Sequence, residues 1–177
     1  AVRAAGCRVV PLPGPCAAIV ALSAAGLTDE RFLFVGFLPS KAGQRRQALE
    51  ELRDQACALV FYEAPHRVLE TVADLAAAFG ERTLVIAREL TKLFETVHSL
   101  PLGEAQAWLQ ADANRQRGEF VLIVSGAPAG AGRGEGERVL GLLLADGLPV
   151  KQAAKLAAAI TGEAKNALYE RALALKR

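Results

Sequence analysis

A carboxylate, an imidazole and a guanidinium lie within five residues of each other where an apolar run of the sequence ends. The run 58–62, ALVFY, is followed by Glu63, His66 and Arg67. Charges beside a buried strand are costly unless they are paired or used. The imidazole could accept a proton, the guanidinium could clamp a phosphate or carboxylate, and the ring of Tyr62 offers a face to a planar ligand. The same residues could also form only a local salt bridge at the start of a helix.

A second charged cluster follows another apolar run. Arg88, Glu89 and Lys92 come directly after the run 83–87, TLVIA. In α/β sheets, ligand sites gather at the carboxyl ends of strands, so the two clusters are expected to share one site. Charges of alternating sign are also typical of solvated surface pairs, and this alternative stays open. Glu119, just before a later apolar run, could accept hydrogen bonds from a ligand hydroxyl or be an ordinary surface carboxylate.

A Pro-Gly-Pro corner near the start of the chain is a third candidate. The sequence predicts a buried strand over 8–12, a turn at Pro13, Gly14 and Pro15, and a helix over 16–25. Pro15 suits a first helical turn because its missing N–H costs nothing there. Such a corner exposes backbone amides to a ligand, although it could equally be a tight connection between two elements.

Basic side chains at two places are candidates for phosphate binding. Arg45 and Arg46 lie near the start of a predicted helix over 41–55, where cations oppose the helix dipole and need another role, either solubility or a ligand. The net charge is only +2, but residues 133–177 carry 8 Lys and Arg against 5 Asp and Glu. This excess favours contact with a polyanion, or it is the ordinary surface of a solvated helical unit. The lysines available there for phosphates include Lys151, Lys155 and Lys165.

The elements that must position these side chains alternate between strand and helix patterns. The strands are predicted over 32–38, 58–62, 83–87 and 120–124. The helices between them are predicted over 41–55, 66–79 and 103–112. This order predicts an α/β domain over residues 1–126.

A different organisation is predicted for the end of the chain. The stretch 127–136 is rich in glycine and predicts a linker. Residues 137–177 contain three helical patterns and predict a small three-helix unit. Its last two helices, joined by a short turn that contains glycine, are typical of a helix-turn-helix or of a plain helical packing module.

Several classes of protein are excluded by composition. The cysteines Cys7, Cys16 and Cys57 are odd in number and lack C-x-x-C spacing, so neither a disulfide framework nor a metal site is expected. The apolar runs are far shorter than the roughly 20 residues that span a bilayer, and no signal-like segment opens the chain. We therefore expect a cytoplasmic protein without membrane contact. Residues 1–6 read as the last turn of a helix, which predicts that an upstream part is missing.

Five strings occur in one order along the chain. They are PLPGPCAAIVALSAAG, GFLP, FYEAPHRVLET, ARELTKLFET and GEFVLIVSG. Together they closely resemble the ribosomal RNA small subunit methyltransferase I family, which belongs to the tetrapyrrole methylase superfamily. The match covers nearly the whole chain, and the three-helix tail resembles the family's C-terminal extension.

The resemblance implies a two-domain, homodimeric α/β methyltransferase. It implies S-adenosylmethionine as the cofactor, bound between the domains, and methylation of the ribose 2′-oxygen of a cytidine in 16S rRNA of the small ribosomal subunit. This chain would be the mixed-sheet second domain and the helical unit, without the family's first domain. Cys16 stands where many relatives have Ser. Carried over by position, the cofactor pocket takes Pro13, Gly14, Pro15, Tyr62, Glu63, Ala64, Ala87 and Val124.

The reaction implied by the resemblance suggests roles for the charged residues. A ribose hydroxyl must be aligned with the methyl donor and must lose its proton, so positioning and a base both contribute. The candidate bases are Glu63, His66 and Glu89. The candidate RNA contacts are Arg45, Arg46, Arg67, Arg88, Lys92, Lys151, Lys155 and Lys165. Two alternatives stay open: a tetrapyrrole methyltransferase, which would need a deep apolar cleft, and a non-enzymatic nucleic-acid-binding module that uses only the tail.

Overall fold

A five-stranded mixed sheet forms the centre of the first part of the chain. The computed structural model describes residues 1–128 and 133–175. The strands are β1 (Phe32–Phe37), β2 (Ala58–Glu63), β3 (Thr83–Arg88), β4 (Thr96–Pro101) and β5 (Phe120–Val124). Their order is β1-β2-β5-β3-β4, with β1 parallel to β2 and every other neighbouring pair antiparallel. Strands β2 and β3 therefore run in the same direction, with β5 between them in the opposite direction.

Helices cover the two faces of the sheet unequally. The helices of this part are α1 (Ala17–Ala24), α2 (Ala42–Glu51), α3 (Val68–Phe79) and α4 (Ala105–Gln110). One face packs against α2, α3 and α4 through residues that include Leu49, Leu75 and Leu109. The other face packs against α1 through Ala18 and Ala21, whose small side chains let that helix lie close to the strands. The α/β prediction is confirmed.

The strand predicted over 8–12 is wrong. This segment has no regular secondary structure and pairs with no strand of the described chain, and Val9, Val10 and Leu12 are exposed. The physical reason is the alternation of Pro11, Pro13 and Pro15. Each proline removes a backbone donor, so the segment cannot supply the regular ladder of hydrogen bonds that a sheet needs.

The helical tail consists of α5 (Arg133–Ala145), α6 (Val150–Thr161) and α7 (Lys165–Leu175). Its core is small and shared by all three helices, with Leu140, Ala154 and Leu168 fully buried. The carboxylate of Glu163, in the turn before α7, accepts a hydrogen bond from the Gly136 amide at 3.0 Å and one from Arg171 at 2.7 Å. This turn thereby fastens the first and last helices to each other.

The linker expected over 127–136 differs from the structure at both ends. The Ala127 amide donates to the Gln55 carbonyl at 2.7 Å, so the stretch begins packed against the α/β part. Residues 133–136 already belong to α5. Residues 129–132 lie outside the described residues. Glycine lowers helix propensity without excluding a helix, so a glycine-rich sequence can still enter the first turn of α5.

Candidate active site

The ends of two strands and the start of a third meet at one edge of the sheet. The register places Phe120, the first residue of β5, opposite both Glu63 at the end of β2 and Arg88 at the end of β3. The two charged clusters that follow the strands therefore do come to the same edge, as the sequence predicts. Val124 ends β5 opposite Leu59 and lies at the other edge.

A cavity of about 460 Å³ opens at this edge. Aromatic and aliphatic side chains form most of its wall, and carboxylates lie at its border. It is lined by Ala17, Phe37, Tyr62, Glu63, Ala64, Pro65, Leu90, Glu119, Phe120 and Val121. Its size falls within the range of cavities that hold small organic cofactors.

Tyr62 joins the first helix to this cavity. Its hydroxyl accepts a hydrogen bond from the Ala18 amide at 3.2 Å, at the start of α1. The rings of Phe34 and Phe37 contact the Tyr62 ring edge-to-face, with centroids 5.0 and 5.7 Å away. Burial raises the pKa of the Tyr62 hydroxyl, so it stays protonated. At the same helix start, the amide of Ile19 lowers the pKa of the Cys16 thiol.

Glu63 has a structural task that the sequence did not predict. Its side chain is fully buried, and one oxygen accepts hydrogen bonds from the Ala64 amide at 2.7 Å while the other accepts from the Thr71 hydroxyl at 2.6 Å. The Arg67 guanidinium lies 3.4 Å from the same carboxylate. A base needs a lone pair within reach of the substrate proton. The geometry favours a structural role for Glu63 at the end of β2, and its role as a base stays a prediction.

The Arg67 guanidinium makes hydrogen bonds within the protein. Its Nη2 atom donates to the carbonyls of Leu38 at 2.8 Å and Pro39 at 3.2 Å, directly after β1, and only 19% of its side chain is exposed. Together with Glu63 it ties the exit of β1 to the exit of β2. The predicted phosphate contact at Arg67 does not fit this geometry.

Glu89 lies in a charged network with Lys92 and Glu119. The Lys92 ammonium donates to the Glu89 carboxylate at 3.0 Å and to the Glu119 carboxylate at 2.9 Å. The Glu119 amide also donates to the Glu89 carboxylate at 3.0 Å. The hydrogen bond from Lys92, followed by that from the Glu119 amide, lowers the pKa of Glu89, and the two carboxylates raise the pKa of Lys92. A carboxylate with a lowered pKa is a weaker base, which argues against Glu89 as the proton acceptor.

The other predicted site residues are divided between the cavity and the rest of the molecule. His66 is exposed in the turn directly after Pro65, a residue of the cavity wall. Ala64 lines the cavity. The residues outside its wall are Ala87 and Val124, which are fully buried, and Pro13, Gly14 and Pro15, which are exposed.

The residues predicted to contact phosphates fall into buried and exposed ones. Arg45 is buried, and its guanidinium contacts Asp74 at 2.7 Å and Glu70 at 3.3 Å on α3, so it is a helix-to-helix anchor and not an RNA contact. Arg88 is also buried. Those with exposed side chains are Arg46, Lys92, Lys151, Lys155 and Lys165.

Sequence reasoning missed six residues of the cavity wall, which are Ala17, Phe37, Pro65, Leu90, Phe120 and Val121. Three of them lie within the strings ARELTKLFET and GEFVLIVSG, and Phe37 lies in GFLP. The signal for Phe120 and Val121 would have been the direction of β5. An antiparallel strand brings its start, and not its end, to the edge where its neighbours end.

The cavity has the chemistry that S-adenosylmethionine requires. The aromatic walls at Tyr62, Phe37 and Phe120 suit an adenine ring and a cationic sulfur, since π faces attract cations. Glu119, with its side chain 86% exposed at the border, could accept hydrogen bonds from ribose hydroxyls. Within the described ranges no cluster of three or more metal-ligating side chains occurs, and no helix is long and apolar enough to cross a membrane.

Comparison with known proteins places this site in a family. The family described as Tetrapyrrole (Corrin/Porphyrin) Methylases matches residues 1–106, and the one described as the RsmI C-terminal HTH domain matches residues 130–176. Two solved structures, the methyltransferase CobJ and the cobalt precorrin-4 methyltransferase CbiF, share the fold with TM-scores of 0.52. They are 20% and 12% identical, cover 71% and 70% of this chain, and are themselves covered over 56% and 54%. The chain belongs to the tetrapyrrole methylase family.

The more specific resemblance is also confirmed. The ribosomal RNA small subunit methyltransferase I of Pseudomonas aeruginosa is 55% identical over 97% of this chain and 62% of its own length. That of Escherichia coli O157:H7 is 53% identical over 97% of this chain and 60% of its own length. The chain thus spans about 60% of the length of these curated relatives. The boundary between the α/β part and the tail, near residues 127–136, stays a prediction.

Proposed function

We propose that the polypeptide containing this chain transfers a methyl group from S-adenosylmethionine to the ribose 2′-oxygen of a cytidine in 16S rRNA of the small ribosomal subunit, in the cytoplasm. The observation that carries the proposal is the cavity at the sheet edge. It is built from the strings YEAPHR, RELTK and GEFV in a chain that is 55% identical to a ribosomal RNA methyltransferase. The family membership supports the methyl donor, and the name of these relatives supports the RNA substrate.

Some residues of this chain would bind the cofactor, and others would take part in the methyl transfer. Tyr62, Phe37 and Phe120 would hold the cofactor, which when bound supplies a methyl group on a cationic sulfur. Because Tyr62 is fixed by α1 and Glu63 by two hydrogen bonds and the nearby Arg67 guanidinium, the wall is set before the ligand arrives. Such preorganisation is a large part of what positioning contributes to a two-substrate reaction.

His66 is the proton acceptor that we favour among the three predicted bases. Its imidazole is exposed beside the cavity, whereas Glu63 is enclosed and the pKa of Glu89 is lowered. An imidazole is the side chain best matched to proton transfer near neutral pH. Replacing His66 by Asn should lower kcat by about 10²–10⁴-fold and leave the Kd for S-adenosylmethionine unchanged.

The reaction is tested by methyl transfer from labelled S-adenosylmethionine to small ribosomal subunits, using the polypeptide in which this sequence occurs. A methylated 2′-oxygen cannot attack the neighbouring phosphate, so the product RNA should resist alkaline cleavage at one cytidine. Label in a tetrapyrrole and none in RNA would instead favour the small-molecule alternative. Label in neither would overturn the proposed activity.

The helical tail is proposed to add affinity for RNA. Lys151, Lys155 and Lys165 are exposed on α6 and at the start of α7. Binding that uses phosphates weakens with salt in proportion to the number of contacts. Replacing the three lysines by Gln should therefore reduce the salt dependence of RNA binding while methyl transfer persists. Complete loss of RNA binding after deletion of the tail would support a module that uses the tail alone.

A homodimer is also part of the proposal. The edge strand β1 exposes Phe32 and Phe34 outside the cavity wall, and exposed aromatic side chains are typical of interfaces. Sedimentation equilibrium of the polypeptide should give twice the monomer mass. A monomer at micromolar concentration would contradict this part of the proposal without affecting the rest.

A further inference from the structure

A second cavity lies on the far side of the Glu89–Glu119 pair. Its volume is about 430 Å³, and it is lined by Arg88, Glu89, Phe94, Asn114, Arg117 and Gly118. It is formed by the end of β3, the loop that follows and the segment that leads into β5. The sequence analysis did not predict this cavity.

Residues adjacent in the sequence line the two cavities. Leu90 lines the first cavity and its neighbour Glu89 lines the second. The amide of Glu89 donates to the carbonyl of Glu119 at 3.0 Å, and the amide of Glu119 donates back to the carboxylate of Glu89. A group bound in the second cavity would therefore lie beside a cofactor bound in the first.

The wall of the second cavity combines cationic groups with an exposed ring. Arg88 is only 8% exposed, and its Nη1 atom donates to the Arg117 carbonyl at 3.0 Å, but its buried Nε has no hydrogen-bond partner. A buried guanidinium with an unused donor is costly unless an anion compensates for it. Phe94 is 67% exposed, although an aromatic ring of this size is normally buried.

The loop that borders this cavity is strained. Glu89 and Thr91 have φ values of 51° and 64°, a region that residues other than glycine rarely adopt. Such strain costs free energy and persists where the surrounding contacts enforce it, often at binding sites. Here the Lys92 ammonium contacts the carboxylates of both Glu89 and Glu119. Together with Arg88 and Arg117 of the cavity wall, three cations accompany these two carboxylates, so the local charge still favours an anion.

We propose that this second cavity binds one unstacked nucleotide of single-stranded RNA, with its phosphate near Arg88 and Arg117 and its base against the ring of Phe94. The inference rests on the proposed function, because it assigns the RNA of that reaction to a particular surface. Cationic groups beside an exposed aromatic ring are the combination that single-stranded RNA requires. Asn114, at the border of the cavity, offers an amide to the edge of the base.

The test uses two exposed residues and a matched control for each. Phe94→Ala is compared with Leu93→Ala, which removes the adjacent side chain, 90% exposed and outside the cavity wall. Arg117→Ala is compared with Arg53→Ala, which makes the same charge change near the opposite edge of the sheet, at another cavity. The measurements are the Kd for a labelled single-stranded oligoribonucleotide at several salt concentrations, the KM for small ribosomal subunits, and the Kd for S-adenosylmethionine.

Phe94→Ala should weaken RNA binding and raise the KM for subunits by about 5- to 100-fold, the range expected for loss of one stacked base. Arg117→Ala should lower the slope of log K against log salt by about 0.7, the value for one phosphate of a single strand. Both control variants should bind RNA like the unaltered protein. The Kd for S-adenosylmethionine should stay unchanged in all four variants.

The outcomes separate this inference from the proposed function. Unchanged RNA binding in Phe94→Ala and Arg117→Ala would overturn the nucleotide site, even if methyl transfer to RNA occurs. Loss of cofactor binding in these variants would also overturn it, because the cavity would then serve the cofactor. If Phe94→Ala fails to fold, Phe94→Leu keeps apolar volume without a ring face and should show the same loss. Absence of methyl transfer to RNA by the unaltered polypeptide would instead overturn the proposed function.

Discussion

Replacement of Glu63 by Gln distinguishes a structural role from a catalytic one. The carboxylate is fully buried and accepts hydrogen bonds from the Ala64 amide and the Thr71 hydroxyl, with Arg67 3.4 Å away. Gln keeps the volume and one acceptor but loses the charge that faces Arg67. We expect a loss of about 1–3 kcal/mol in the free energy of unfolding, the cost of leaving a buried polar group partly unsatisfied. Glu63→Ala leaves the guanidinium without its carboxylate and should cost about 3–5 kcal/mol.

The assay is urea denaturation followed by the fluorescence of Trp108, the only tryptophan, and by circular dichroism. Thr71→Val should cost about 1–3 kcal/mol by itself, and less in the Glu63→Gln background, because both changes remove the same hydrogen bond. Glu119→Gln is the control, since its side chain is 86% exposed, and should change stability by less than about 0.5 kcal/mol.

Methyl transfer at low temperature, where the variant remains folded, completes the test. A structural residue predicts a modest fall in kcat for Glu63→Gln that follows the fraction of folded protein. A catalytic base predicts a fall of about 10²–10⁴-fold with normal stability. The second result, with independent effects of the changes at Glu63 and Thr71, would refute the structural role.

The remaining predictions concern packing, backbone conformation and charge. Arg45→Ala removes the buried cation that contacts Asp74 and Glu70 on α3. The loss should be about 1–3 kcal/mol in urea denaturation, because Glu70 is 71% exposed and Asp74 keeps Arg46 as a partner. RNA affinity should not change, and weakened RNA binding at normal stability would contradict this. Gly118→Ala should lower the Tm, because φ at this position is +90° and a Cβ would overlap the side chain of Glu89. In the Glu89→Ala background the overlap should be relieved, while the backbone cost of about 1–2 kcal/mol should remain. An equal Tm loss from Gly118→Ala in both backgrounds would refute the contact. Lys92→Met should raise the pKa of Glu89 towards 4.5 in a carboxyl NMR titration. The network of Glu89, Lys92 and Glu119 stabilises the protein above pH 4.5. This contribution to stability is lost as the pH falls through the lowered pKa of Glu89, and also as the pH rises through the raised pKa of Lys92. An unchanged titration of Glu89 in Lys92→Met would contradict the pairing. The rate of Cys16 alkylation should rise with pH with a midpoint below pH 9.0, because the pKa of this thiol is lowered. S-adenosylmethionine should slow the alkylation, because the adjacent Ala17 lines the first cavity. Equal alkylation rates with and without the cofactor would place the cofactor elsewhere.

The strands could be predicted because each central strand is buried on both faces. Their sequences are short continuous apolar runs, and the runs 58–62, 83–87 and 120–124 all fall within strands. The run at 8–12 has the same composition but three nearby prolines, so an apolar pattern without backbone donors does not make a strand. Hydrophobicity shows where a segment could be buried, whereas pairing depends on hydrogen-bonding groups along its whole length.

The candidate site was predicted less completely, because it depends on the direction of β5. The sequence places charged clusters after β2 and β3, and both clusters lie at the predicted edge. It cannot show that β5 runs antiparallel between them, so Val124 was expected where Phe120 lies. A local pattern predicts a strand, but its direction is set by connections and packing across the whole sheet.

Two charged residues of the string YEAPHR, Glu63 and Arg67, are largely removed from water, and their contacts in the structure explain why. Burying Glu63 and most of Arg67 away from water is unfavourable unless their polar atoms are satisfied. Here the carboxylate accepts hydrogen bonds from the Thr71 hydroxyl in the first turn of α3 and from the Ala64 amide in the turn after β2. The Nη2 atom of Arg67 donates to the two carbonyls that follow β1, and its buried Nε keeps only the ion-pair contact with Glu63. These contacts fix the relative positions of the end of β1, the end of β2 and the start of α3. An apolar pair in place of Glu63 and Arg67 would leave the Leu38 and Pro39 carbonyls without these donors. The rigidity that these two charges give to the cavity wall is consistent with a reaction in which alignment of two substrates contributes more than any single base.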